Sequence, residues 1–114
     1  MALGKNFKIP EADIKPILKN WFGPNGCFAT DRIMVDGCKV GYMYRDTPVN
    51  NFDSGWRFFE GSESSGYINN PENAGAYTLN VLCNYDADII PFLNEPEGVA
   101  YKRNKMGFFE KDED

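Results

Sequence analysis

Five residues, Trp56-Arg57-Phe58-Phe59-Glu60, constrain this chain more than any other stretch. Asp53 and Ser54 are turn formers and Gly55 tolerates unusual backbone angles, so the chain can reverse there and enter an extended run that Gly61 ends. Alternate side chains of a strand point to opposite sides. Trp56 and Phe58 therefore share one face, and Arg57 and Phe59 share the other. Apolar bulk on both faces marks a strand inside a sheet, covered by helices on one side and by a loop, a partner or a half-open groove on the other.

A second extended run, Lys39 to Arg45, puts Val40, Tyr42 and Tyr44 on one face and Gly41, Met43 and Arg45 on the other. The connection from Asp46 to Gly55 holds Thr47-Pro48 and Asn50-Asn51, which suits an antiparallel pair with a long exposed loop at the middle of the sheet. With Tyr42 and Tyr44 opposite Trp56 and Phe58, each cross-strand ring pair would contribute from a few tenths to about 1 kcal/mol. Cys27 to Thr30 reads as a short strand, Asp31 to Gly37 as a connection, and Ser62 to Ala76 as a loop. Gly98 to Arg103 and Gly107 to Glu110 read as a closing hairpin.

Upstream, Ile14, Ile17, Leu18, Trp21 and Phe22 recur at helical spacing behind Asp13 as N-cap, with Pro16 in the first turn and Gly23-Pro24 as the stop. Thr78 and Asp86 are placed to cap two short helices, one carrying Leu79 and Leu82, the other Ile89, Ile90 and Phe92. A length of 114 residues suits one domain that buries a core without staples. The expected fold is α+β: a mainly antiparallel sheet of about four to six strands, an N-terminal helix and two short helices. Residues 1–26 would hold that helix and its turn, 27–110 the core, and 111–114 a frayed, solvated tail.

Composition removes whole classes of chemistry. The chain has no histidine, which takes away Ser-His-Asp and Cys-His catalysis, the commonest general base and imidazole metal sites. Cys27, Cys38 and Cys83 are an odd number without zinc or disulfide-framework spacing, and read as reduced thiols, with a Cys27 to Cys38 pair as the alternative. Asn84-Tyr85-Asp86-Ala87-Asp88 resembles a calcium loop but lacks the glycine an EF-hand needs at its sixth position, so neither metal nor cofactor is expected. No apolar run approaches the roughly 18 residues of a membrane span, and the first residues lack the marks of a secretory signal. A cytoplasmic protein is the expectation.

Charge is distributed unevenly. Of a net charge of -5, residues 1–57 carry eight bases and six acids, whereas residues 58–114 carry four bases and eleven acids. Between Phe58 and Tyr101 there is no Lys or Arg, while Glu60, Glu63, Glu72, Asp86, Asp88, Glu95 and Glu97 fall there. Such a surface repels nucleic acid and attracts a basic partner.

The ordered blocks Cys27-Phe-Ala-Thr-Asp31, Asp36-Gly-Cys-Lys-Val-Gly-Tyr-Met-Tyr-Arg45, Asp53-Ser-Gly-Trp-Arg-Phe-Phe-Glu-Gly61, Asn84-Tyr-Asp-Ala-Asp-Ile-Ile-Pro91 and Gly98-Val-Ala-Tyr101 resemble a bacterial family. That family was first catalogued as a domain of unknown function and later placed, as the thirty-third class, among immunity proteins of polymorphic toxin systems. The resemblance implies a binding module that neutralises a toxin domain, such as a basic nuclease, by covering it without catalysis. The residues expected at such a contact are Glu60, Glu63, Glu72, Asp86 and Asp88 as a charged rim, Asp53 beside them, and Trp56 or Tyr67 as aromatic anchor. An adaptor or small-ligand module is the alternative. An enzyme built on Asp53, Glu60 and Glu63 would need two of these carboxyls about 5 to 9.5 Å apart.

Overall fold

The computed structural model describes residues 4–113. Six strands form one sheet in the order β4-β1-β3-β2-β5-β6. They are β1 (Gly26–Thr30), β2 (Tyr42–Arg45), β3 (Asp53–Phe59), β4 (Ala74–Thr78), β5 (Ala100–Arg103) and β6 (Phe109–Lys111). β1 runs parallel to β3 and every other pairing is antiparallel, which gives the expected single-domain α+β fold with β2 and β3 at its middle. The helices are short: α1 (Asp31–Met34), α2 (Ser65–Ile68) and α3 (Leu79–Tyr85), with 3-10 turns at Glu11–Asp13, Pro71–Asn73 and Ala87–Phe92.

One face of the sheet is closed. Cys27 and Ala29 of β1, Met43 of β2, Trp56 and Phe58 of β3 and Tyr101 of β5 meet Ile33, Met34, Leu79, Leu82, Cys83 and Ile89 in a continuous core. Trp56 donates its indole N–H to the Leu93 carbonyl at 3.0 Å, so the largest buried ring has its polar atom satisfied. The two helix caps form as their sequences dictate: Thr78 accepts from the Val81 N–H and Asp86 from the Asp88 N–H. Asp86 does more. Its buried carboxylate also accepts from the Val40 N–H and from Arg103, tying α3 to the strands. Gly55 has φ +96, and a Cβ there would collide with the Asp46 carbonyl, so β3 can begin beside β2 only with glycine at that position.

Four expectations need correction. Residues 14–22 form no helix; they run as an extended strap along α3. Pro16 disfavours helical angles at Lys15, and the backbone partners a helix would have supplied come instead from α3. Asn80 accepts from the N–H groups of Ile17 and Leu18, Asn84 accepts from Lys15, and both amides donate to the Lys15 carbonyl. Of the residues with helical spacing, Ile14, Leu18 and Trp21 still pack on the core, whereas Ile17 and Phe22 are exposed.

The second correction is register. Tyr42 pairs with Phe59 and Tyr44 with Arg57, while Met43 pairs with Phe58, so the tyrosines lie on the side opposite Trp56 and Phe58. A shift of one residue between two strands exchanges every face-to-face partner. Third, the stretch expected as loop contains α2 and β4, the latter an edge strand of low intrinsic preference held by its pairing with β1. Fourth, Lys111 belongs to β6 and Asp112 donates its N–H to the Ala100 carbonyl, so neither is frayed. Asp114, and residues 1–3 at the start of the segment read for a signal, lie outside the described residues.

Candidate functional site

The second face of the sheet is open. α2, which borders it, buries none of its residues, while the residues that α1, α3 and the Ala87–Phe92 turn do bury go into the core on the other side. Strand parity places Phe28 of β1, Arg57 and Phe59 of β3 and Tyr42 and Tyr44 of β2 on this open side. The four rings are half-buried. Tyr44 stacks on Phe59 with centroids 5.7 Å apart and planes 12° apart, and Tyr42 leans on both at 6.1 Å. At one end of the face the loop after β2 carries Val49 and Phe52, the latter 79% exposed; at the other end α2 carries Ile68, 46% exposed.

A charged pair divides the rings. Arg57 lies over the Phe28 ring at 4.6 Å and donates two parallel bonds, at 2.9 and 2.8 Å, to the two oxygens of Asp53. The Gly55 and Val49 N–H groups complete the carboxylate's shell. The Arg57 bonds pull the Asp53 carboxyl down to about 2 against the opposing effect of burial, so it is ionised at neutral pH and the pair adds no net charge to the face.

Past the end of β3 the chain builds an acidic corner. Glu60 accepts from both the hydroxyl and the N–H of Ser62 and pairs with Arg32 at 3.3 Å, and the Ser62 hydroxyl above all holds its carboxyl below the ordinary range. Burial pushes Glu63 up, but bonds from the Thr30 hydroxyl and the N–H groups of Glu60 and Gly61 outweigh it and its carboxyl is also lowered. Arg32 in turn lies 5.0 Å over the Tyr67 ring.

These positions sort the sequence-derived residues. Glu60 and Tyr67 meet at Arg32 at the α2 end of the open face, Glu63 lies beside them on the Glu60 N–H, and Glu72 is exposed on the 3-10 turn that follows α2. Trp56 is fully buried in the core, so its ring cannot serve as a surface anchor in this fold. Asp53 and Asp86 are 4% and 1% exposed and spent on Arg57 and Arg103, and Asp88 shares Arg103 from its exposed position on the Ala87–Phe92 turn. Buried carboxylates need such partners because an unpaired charge inside a protein is too costly to keep.

Asp53 and Glu60 stand at opposite ends of β3, about 20 Å apart by the rise of an extended strand, too far for a carboxylate pair acting across one bond. Glu60 and Glu63 are adjacent, but with both carboxyls lowered neither holds a proton at neutral pH to act as an acid. Among the described residues no group of three or more Cys, Asp and Glu is arranged to hold a metal ion. An apolar cavity lined by Phe7, Ile9, Ile14, Met34, Tyr77 and Val81 among others has about 190 Å³, below the roughly 300 to 1,000 Å³ of a small-molecule site, whereas a more polar cleft between the strap and the Ala87–Phe92 turn, lined by Ile17, Trp21, Ile90 and Leu93 among others, has about 340 Å³.

Phe28, Tyr42, Tyr44, Phe59, Phe52 and Ile68 were not singled out as site residues from sequence. The signal available was parity in β3, which sets Phe59 and Arg57 against Trp56 and Phe58.

Comparison with known proteins bears on the same residues. The family model of the immunity protein Imm33 domain matches residues 27–113, which include the open face and its acidic corner. No curated protein matches the chain. No solved structure matches it either.

Proposed function

The chain belongs to the immunity protein Imm33 domain family, and from that premise we propose that it neutralises a toxin domain of a polymorphic toxin system by direct contact, without chemistry of its own. The observation that carries this reading is the open sheet face. Four half-buried rings with exposed Phe52, Val49 and Ile68 at its ends make an apolar surface on a domain whose other face is already closed. Exposed apolar patches of this kind, bordered by polar groups, mark protein contacts, and aromatic anchors at their centre supply most of the binding energy.

The charge at the border selects the partner. Glu60, Glu63 and Glu72 lie at or beyond the α2 end, the Asp53–Arg57 pair in the middle is neutral, and Lys102, which pairs with Tyr42 across β2 and β5, is matched by Asp112, so a basic toxin surface, such as that of a nuclease, is complementary. Complementary charge speeds the encounter and the rings slow dissociation. Cys27, Cys38 and Cys83 are free thiols, which suits a reducing, cytoplasmic location, and among the described residues no helix is long and apolar enough to cross a membrane.

Titrating the purified chain into the toxin encoded beside its gene, with toxin activity as readout, separates contact from catalysis. Inhibition should rise linearly and break at a fixed stoichiometric ratio. Progressive inactivation by a small fraction of an equivalent would show turnover and overturn the proposal, as would failure of the chain to restore growth in cells making that toxin.

A further inference from the structure

At the α2 end of the open face lies a cleft of about 110 Å³ lined by Tyr42, Phe59, Gly61, Glu63 and Ile68. Two walls are aromatic, tilted 45° to one another at 6.1 Å. Another is the Glu63 carboxylate, held by three short bonds: 2.6 Å from the Thr30 hydroxyl and 2.8 Å from each of the Glu60 and Gly61 N–H groups. All three donors are neutral. They orient the carboxylate without cancelling its charge. Among the described residues no lysine or arginine reaches ion-pair distance of Glu63, and Arg32, which serves this corner, is engaged by Glu60, Ser62 and the Tyr67 ring.

We infer that this cleft is the seat for one arginine side chain of the toxin, its guanidinium packed into the angle between the Phe59 and Tyr42 rings and its N–H groups turned to Glu63, with Ile68 as the lip. Ring faces are negative and attract a cation, and a carboxylate already fixed in place loses little freedom when a guanidinium arrives. Arginine fits better than lysine because its planar, weakly hydrated head stacks on rings and bonds a carboxylate at once. Glu63 differs from the two other carboxylates of β3 and the turn after it in this respect: Asp53 is matched by Arg57 and Glu60 by Arg32. The assignment rests on the toxin reading above and narrows it to one contact.

Two arms test it, both on the full chain. In the first, N-acetyl-arginine methylamide is titrated into isotope-labelled protein and followed by NMR, with the neutral citrulline analogue alongside. Shifts should cluster at Tyr42, Phe59, Gly61, Glu63 and Ile68, and the citrulline analogue should bind at least about tenfold more weakly. Shifts scattered over the acidic surface, or equal for both probes, would overturn the seat. In the second, Ile68→Lys places a competing cation at the lip without touching the bonds that hold Glu63, which Glu63→Gln would disturb. The variant should lose the arginine shifts and release the neighbouring toxin at least about tenfold faster than the parent chain. If the parent protects cells and Ile68→Lys releases toxin at the parental rate, the seat is wrong and the toxin reading stands. If the parent binds the arginine probe in the cleft but fails to protect, the toxin reading is what falls.

Discussion

Replacing Asp53 with asparagine and following stability between pH 7 and pH 3 isolates what the buried Asp53–Arg57 pair contributes. Both residues are almost wholly buried, two bonds join them, and the carboxyl is drawn from 3.8 down to about 2, chiefly by those bonds. A group with a folded value below its unfolded one stabilises the protein fully above the unfolded value, and that stability fades as pH falls through the folded value. A difference of nearly two units corresponds to about 2 kcal/mol at pH 7 and, with the carboxyl partly protonated in the unfolded chain, about 1 kcal/mol at pH 3. Asparagine keeps the shape but leaves Arg57 buried without a counter-charge, so the variant should be less stable by about 3 kcal/mol at pH 7. At a urea slope of about 1.5 kcal/mol per molar, that lowers the unfolding midpoint by about 2 M. The gap between parent and variant should then narrow by about 1 kcal/mol, or roughly 0.7 M, at pH 3. A gap that stays constant or widens on acidification would refute the claim that the ionised carboxylate stabilises the folded chain.

Asp86→Ala should be the most damaging substitution on the core side, costing about 3 kcal/mol in urea unfolding because it strips the Val40 N–H and the buried one of Arg103's two carboxylate partners. Asn80→Ala combined with Asn84→Ala should speed amide hydrogen exchange at Lys15, Ile17 and Leu18 while the amides of β3 keep their protection, since those side chains supply the strap's backbone partners. Phe52→Ser should change stability by less than about 0.5 kcal/mol, its ring being mostly in solvent, yet weaken the toxin complex; unaltered affinity would remove the β2–β3 loop from the contact.

Much of this architecture was readable where local chemistry decides it. Gly61 follows the end of β3, Thr78 and Asp86 cap the turns that follow them, and the apolar bulk on both faces of β3 announced a strand with a second, differently used side; Asp53 to Gly55, expected as the reversal before the strand, are instead its first three residues. What escaped depends on partners distant in sequence. The strap is extended because Asn80 and Asn84, more than sixty residues away, bond its backbone. β4 is Ala-Gly-Ala-Tyr-Thr, a poor strand in isolation, and exists by pairing with β1. The β2–β3 register turns on one residue that periodicity within a strand cannot supply, and that residue decided which rings were core. Trp56 was weighed as an anchor for its size, whereas parity sends it inward and leaves Phe59 to face out.

The division between the two faces also separates what the family shares from what lies outside it. Residues 4–26 fall outside the family match, and the apolar side chains they bury, Ile9, Ile14, Leu18 and Trp21, thicken the closed side of the sheet. Phe28, Tyr42, Tyr44, Arg57, Phe59, Glu63 and Ile68, which make the open side, all fall within residues 27–113. A segment that only buttresses the core can vary without moving a contact on the far side of the sheet, because the strands between them are rigid and closely packed. A function common to the family has to be carried by surface that the shared domain builds unaided. On this chain the ring-lined face is such a surface, and among the described carboxylates of β3 and the turn after it Glu63 is the one fixed by neutral donors alone.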